Sequence, residues 1–235
     1  MKNDLYFLYI SFIMSHIVNF DNLITVTPDQ YEGVTTVRLH SSYIFNISDV
    51  IFNFKNITIL SLFSNHISCI PDELFNLNYL RELNLSLNNI TVLPNEFHKL
   101  ENLKALNFST NKIKVIPDSI YKLSNLRVMK FSNNRIKYIS DEITQMTSLT
   151  KLCLLGNSIK EFPLSLIDLV NLKTIELDYN YIKILPEISD NVQHINMADN
   201  EHGMEIRQSL SSDDYNTIRK QWLEQNRVTT KSARK

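Results

Sequence analysis

Glycine is almost missing from this sequence, with three residues in 235. Gly33, Gly156 and Gly203 are too few and too scattered to write a phosphate-cradling loop, a dinucleotide fingerprint or a nucleophile elbow, each of which needs clustered glycines for close backbone approach. Cysteine is nearly as scarce: Cys69 and Cys153 offer no framework of pairs and so give no sign of an oxidising compartment. An excess of charge is missing too. The net charge is −1, which provides no global field to recruit nucleic acid or an anionic membrane. The apolar run near the start, Leu5 to Met14, is too short to span a bilayer. What remains is an ordinary soluble balance, 43% hydrophobic and 21% charged, in a chain long enough for one core or one elongated array.

The abundant feature is a period. Val34, Ile57, Leu80, Leu103, Leu126, Leu149 and Leu172 recur every 23 residues. A second column follows at Val37, Leu60, Leu83, Leu106, Met129, Leu152 and Ile175, and a third at Leu39, Leu62, Leu85, Phe108, Phe131, Leu154 and Leu177. An asparagine column stands at Asn65, Asn88, Asn111, Asn134, Asn157 and Asn180, with Ser42 in the first copy, and an isoleucine column runs from Ile44 to Ile182. A closer copy, Val192, Ile195, Met197 and Asn200, follows 20 residues on.

Alternating apolar residues, as in Leu80-Arg81-Glu82-Leu83-Asn84-Leu85, define a strand with one face buried. Where the chain then turns, backbone groups face inward without strand partners. A buried asparagine, with two donors and an acceptor, satisfies them and bonds to the neighbouring copy. The column is therefore read as structural. Pro followed by acids, as at Pro71-Asp72-Glu73 and Pro117-Asp118, is a helix-start signal. Each copy reads as a strand, a corner and a short helix or 3-10 turn, and the strands stack in parallel.

The spacing L-x-x-L-x-L-x-x-N-x-L over about eight copies resembles the leucine-rich-repeat family. The 23-residue period and the apolar-Pro pair (Ile70-Pro71, Leu93-Pro94, Ile116-Pro117, Phe162-Pro163, Leu185-Pro186) resemble its intracellular Ras-group type. Ser140 in place of Pro and the shortened last copy depart from that pattern. The resemblance implies an α/β solenoid, a horseshoe with a parallel concave β-sheet and helical caps at both ends. It also implies a cytoplasmic, non-enzymatic scaffold or adaptor whose partners are proteins, small GTPases or signalling complexes among them. In such a stack Cys69 and Cys153 lie almost four copies apart, roughly 15–20 Å at ~4.8 Å per strand, too far for a disulfide.

The array is read as residues 33–200, between a cap over 1–32 and a capping helix with a basic tail over 201–235. Asp4, Ser11, Ser15 and Asn19 form one polar stripe at helical spacing, so residues 1–20 read as an amphipathic helix closing the apolar end of the first coil. A cleaved secretory signal is the alternative, although Asp4 and the lack of a small-x-small site count against it. Near the other end, Tyr215, Ile218 and Trp222 stand at helical spacing after a Ser211…Asp214 capping pair.

No catalytic or metal-binding set converges. The six histidines scatter without ligand spacing, and no histidine stands on a strand neighbouring Cys153, so no cofactor or metal is expected. Asn46-Ile47-Ser48, Asn56-Ile57-Thr58, Asn84-Leu85-Ser86, Asn89-Ile90-Thr91 and Asn107-Phe108-Ser109 match the glycosylation pattern, which the repeat itself generates. Lys114, Lys137, Lys160 and Lys183, with Lys112 and Arg135, form a basic column, and Asp118 and Asp141, four residues on, are placed to neutralise part of it. The concave face is the expected binding surface. It carries a small polar centre, including Asn84, Asn107, Ser86, Ser109 and Ser132, flanked by Phe63, Leu87, Leu155 and Tyr179, with Glu82, Lys130 and Glu176 as charged contacts. Two other uses of that face stay open: a secreted or host-directed effector, and a substrate-recognition subunit of a ubiquitin-ligase or phosphatase complex.

Overall fold

The structure is a computed structural model that describes residues 9–10, 17–23, 32–163, 165–182 and 187–200. The asparagine column explains why the chain coils as it does. Asn111 Oδ1 accepts from Ile90 N of the preceding coil at 2.9 Å, while its Nδ2 donates to Leu85 O of that coil at 3.0 Å and to Phe108 O of its own at 3.0 Å. The same arrangement recurs at Asn65, Asn88, Asn134, Asn157, Asn180 and Asn200. Each side chain thus stitches one coil to the next. Ser42 is shorter: its Oγ donates to His40 O within its own turn, and its backbone N–H is taken by Asn65.

Eight repeat strands result: β3 (Thr36–Arg38), β4 (Ile59–Ser61), β5 (Glu82–Asn84), β6 (Ala105–Asn107), β7 (Val128–Lys130), β8 (Lys151–Cys153), β10 (Thr174–Glu176) and β12 (His194–Asn196). They pair in parallel and in unbroken register, Val37 beside Leu60, Leu83, Leu106, Met129, Leu152, Ile175 and Ile195. The three apolar columns point to one side and are buried. The core is stiffened by a run of aromatic contacts, Phe75 to Phe97 (5.1 Å), Phe97 to Phe108 (5.9 Å) and Phe108 to Phe131 (5.4 Å).

On the far side of the core most coils close with a helical turn, over Asp49–Asn53, Asp72–Asn76, Phe97–Lys99, α1 (Asp118–Tyr121) and Asp141–Gln145. Ser140, the departure from the Pro pattern, solves the same problem differently: its side chain accepts from Glu142 N, as Ser48 accepts from Val50 N. The next two coils depart from the expected helical turn. Ser165–Leu166 (β9) and Glu187–Ile188 (β11) pair as a small parallel sheet. Pro163 is followed by Leu164-Ser165-Leu166 with no acid to meet a helix dipole, but Pro186 is followed by the acid Glu187, so what the two coils share is their mutual pairing rather than a missing acid.

The expected amphipathic helix over residues 1–20 needs correction. Tyr9–Ile10 (β1) and Ile17–Leu23 (β2) are strands, and β2 pairs in parallel with β3 through Ile17 to Thr36, Val18 to Val37 and Asn19 to Arg38. The first repeat strand would otherwise present a row of unpaired N–H and C=O groups. That demand, met by β-branched and aromatic residues, outweighs a helical polar stripe. The helix expected over 201–235 lies outside the described residues.

The corners carry a feature that the leucine pattern hides. Ser41, Ser64, Leu87, Thr110, Asn133, Tyr179 and Asp199 all have φ between 50° and 57°, and Gly156 has φ 68°. One residue before each asparagine, the chain turns left-handed, which costs a side chain roughly 1–2 kcal/mol. The strain is held by inter-coil bonds such as Leu87 N to Ser109 O (2.9 Å) and Thr110 N to Ser132 O (2.7 Å).

Three substitutions test this account by chemical unfolding. Asn111→Ala strands the groups around it and is expected to lower stability by about 1–3 kcal/mol. Thr110→Gly relieves left-handed strain and should be neutral or stabilising by up to about 1 kcal/mol. Gly156→Ala should destabilise, because a Cβ there would overlap Asn133 Oδ1 in addition to straining the backbone. A shift of the midpoints in the opposite order would overturn the corner account.

Candidate functional site

The open face of the sheet is built from four rows running across the coils. Register places Thr36, Ile59, Glu82, Ala105, Val128, Lys151, Thr174 and His194 in one row, and Arg38, Ser61, Asn84, Asn107, Lys130, Cys153, Glu176 and Asn196 in the next. A third row, just past the strands, contains His40, Phe63, Ser86, Ser109, Ser132, Leu155 and Asp178. The fourth is the left-handed corner with Leu87 and Tyr179. Among the described residues no element packs over these rows, and most of their side chains are half-buried, shielded by one another.

The small polar centre is internally organised. Asn84 Oδ1 accepts from Ser86 N (3.1 Å) and Ser86 Oγ (2.6 Å), and Asn107 Oδ1 accepts from Ser109 N (3.0 Å) while its Nδ2 donates to Ser86 Oγ (3.4 Å). These side chains fold back on their own strands, and Ser61 and Ser86 are buried. At one end Phe63 meets the His40 ring edge-on at 5.7 Å, and His40 Nε2 lies 2.8 Å from Ser61 Oγ. Partial burial, reinforced by the charge of Arg38, holds His40 below the ordinary histidine pKa.

At the other end Lys151 Nζ bonds Glu176 at 2.7 Å. Burial alone would raise the Glu176 pKa, but hydrogen bonds from Lys151 and Cys153 and the charge of Lys130 hold it down as a carboxylate. The pair is partly exposed, so it orients the face more than it stabilises the fold. Asp178 is nudged upward by burial although its carboxylate accepts from Ala198 N at 3.1 Å.

The expected contacts are thus assembled on one surface but not in one cluster. Phe63 and Leu155 share a row four coils apart, about 19 Å at the spacing of stacked strands. Leu87 and Tyr179 are equally separated and stand at the corner rather than on the strands. Leu87 is 42% exposed and Tyr179 59%. Glu82 is exposed beside the polar centre, and Lys130 is half-buried between Asn107 and Cys153.

Two features escaped the sequence reading. Asn56, Asn102, Asn125, Asn171 and Asn191 form a second ladder, each donating from Nδ2 to a carbonyl of the preceding coil at 2.8 to 2.9 Å. The signal was the asparagine just before the first apolar residue of the motif. The expected neutralisation of the basic column also fails. Among the described residues Lys151–Glu176 is the ion pair at bonding distance, and neither Asp118 nor Asp141 reaches Lys114 or Lys137. Four residues bring side chains together on a helix, but here the chain between them is extended at Pro117 and Ser140, and it carries the acid to the helical turn.

Cys153 is 3% exposed, and burial together with Glu176 pushes its pKa up to about 12, the opposite of an activated thiolate. Among the described residues no three metal-capable side chains gather, and no helix is long and apolar enough to cross a membrane.

A single coil, linked by asparagine to its copies and stacked into one parallel sheet, defines a leucine-rich-repeat solenoid. The chain belongs to the leucine-rich-repeat family, whose model for a leucine-rich repeat region matches residues 38–212. No curated protein matches it. Among solved structures it is similar to a leucine-rich-repeat protein of Leptospira interrogans, with 27% identity, 78% of this chain and 54% of that one covered, and a TM-score of 0.61. It is also similar to the functional domain of InlJ from Listeria monocytogenes, which includes a cysteine ladder (23%, 77% and 39%, 0.65). A plant peptide hormone receptor, RGFR1 in complex with RGF2, is a third (19%, 74% and 34%, 0.58). The chain spans about half the length of the first and less of the other two.

Thiol chemistry checks the site's burial. At pH 8 an aromatic disulfide reagent should label exposed Cys69 quickly and Cys153 only after denaturant is added. Rapid labelling of both in the folded protein would contradict the geometry.

Proposed function

We propose that this chain is a non-catalytic recognition module that holds a protein partner on the open face of its sheet. In this reading residues 33–200 are the working array, and residues 1–32 and 201–235 are its flanking segments. The observation that carries it is the asymmetry of the sheet. One face is buried throughout as core, while across eight strands the other holds graded, half-buried side chains with no covering element among the described residues. A long wall of that kind offers area rather than a pocket.

The chemistry of the wall suits a polypeptide. Phe63 and Leu155 supply apolar anchors, the Asn84–Ser86–Asn107–Ser109 network offers donors and acceptors, and Lys130, Lys151 and Glu176 supply orientation. The receptor neighbour in complex with RGF2 supports peptide or protein binding by this fold. A small GTPase or another signalling component as partner, and a cytoplasmic setting, follow from the Ras-group likeness of the repeat.

The test is a combined Phe63→Ala, Leu155→Ala and Tyr179→Ala variant, compared with the native chain in affinity capture with mass-spectrometric identification. Partners held by the native chain should be lost, with the unfolding midpoint nearly unchanged because none of the three sits in the core. Undiminished capture by the folded variant would remove the open face as the binding surface.

A further inference from the structure

We propose that the flank following the asparagine corners is a second docking surface, one that takes an acidic, partly apolar polypeptide segment of another protein. The surface is distinct from the open face. Just past the asparagines, backbone bonds join Arg135 N to Ile113 O (2.8 Å), Ser158 N to Ile136 O (2.9 Å), Lys112 N to Ile90 O (2.9 Å) and Lys160 N to Lys137 O (3.0 Å). The flank is therefore in register from coil to coil, and Lys112, Lys114, Arg135, Lys137 and Lys160 stand exposed on three successive coils, at the spacing of stacked strands, about 4.8 Å.

Like charges held this close repel unless something answers them. On the open face the fold does answer: Lys151 finds Glu176. On the flank it does not. Among the described residues none of the five cations has a carboxylate at bonding distance. Lys112 Nζ bonds the neutral Asn89 Oδ1 at 2.8 Å, and Lys160 sits 5.9 Å from the Tyr181 ring centre. Asp118, Asp141 and Glu142 lie in the first turns of the helical segments, where they complement the backbone dipole, and Glu161, exposed next to Lys160 and in register with Tyr138 at the end of the strip, pairs with none of the five cations. The cations, by contrast, meet only neutral partners there, Asn89 and the Tyr181 ring.

A second observation specifies the occupant. Directly beside the cations runs an exposed apolar column, Val92 (73%), Val115 (48%) and Tyr138 (44%). Carboxylates would meet the basic row and apolar side chains the column next to it, which is the composition of an acidic-hydrophobic peptide. A nucleic acid fits less well: the strip is narrow, its apolar neighbours offer nothing to phosphates, and the whole chain is slightly acidic. Charge complementarity of this exposed kind sets register and encounter rate.

The test uses the full chain and three fluorescent probes: a soluble peptide alternating Glu with Val and Tyr, a Glu/Gly peptide of equal charge, and single-stranded oligothymidylate of equal charge. The first probe should bind with a strong salt dependence, more tightly than the second and the third. The double variant Lys114→Glu/Lys137→Glu should weaken it by at least about tenfold, with the unfolding midpoint held, and Val115→Ser/Tyr138→Ser should erase its advantage over the Glu/Gly probe. The Phe63→Ala/Leu155→Ala/Tyr179→Ala variant should bind it normally, which separates this surface from the open face. Failure to bind, binding indifferent to charge reversal, or tighter binding of oligothymidylate would each overturn the proposal.

Discussion

A coil that turns a corner must do something with the backbone groups at the bend, and the buried asparagine amide is what makes the rest of this structure possible. A strand can pass its N–H and C=O groups to its neighbours, but at the corner the ladder ends while the chain is still inside. The amide of Asn88, Asn111 or Asn134 donates to carbonyls of two coils and accepts an N–H from the preceding one. Local satisfaction and inter-coil cohesion are therefore the same set of bonds. No coil is complete without the next, so the repeats form an array rather than a string of independent folds.

The corner also determines what the sequence can tolerate next to it. Bringing the amide inward requires the preceding residue to be left-handed, and with glycine at one such position, Gly156, the strain falls on Leu87, Thr110, Tyr179 and others. Strain repeated in every coil is architectural; it does not mark one residue as special. It nonetheless has a surface consequence. At these corners Leu87 and Tyr179 stand exposed at the edge of the open face, where large apolar groups would not otherwise be expected.

The sequence made the repeat legible because its columns answer to burial, and burial is periodic. The three leucine-type columns, the asparagine ladder through Asn180 and the shortened copy ending at Asn200 all emerge where the spacing places them. Features that depend on pairing were not legible. Residues 1–20 carry a helical polar stripe, yet β2 lies extended because β3 has an open edge to fill. β9 and β11 replace helical turns because neighbouring coils can pair there. The second asparagine ladder was hidden because Asn102 and Asn125 are exposed, and exposed asparagines carry no hydrophobic signal. On the open face the row assignments were readable from alternation. That Asn84 and Asn107 would be folded back onto Ser86 and Ser109 was not, because it depends on rotamers.

Once the core and corners are satisfied, the remaining side chains are free to differ from coil to coil, and their distribution is what separates the surfaces. Acids gather at the starts of the helical turns for an internal electrostatic reason, Lys151 and Glu176 answer each other on the sheet, and the flank cations find no carboxylate partner among the described residues. Stacking converts one residue choice, repeated in phase, into a continuous stripe, so a repeat protein acquires extended surfaces of uniform chemistry with few substitutions. The same periodicity that makes the core easy to read therefore makes two distinct outer walls, a polar, half-buried one on the sheet and a basic-apolar one on the flank.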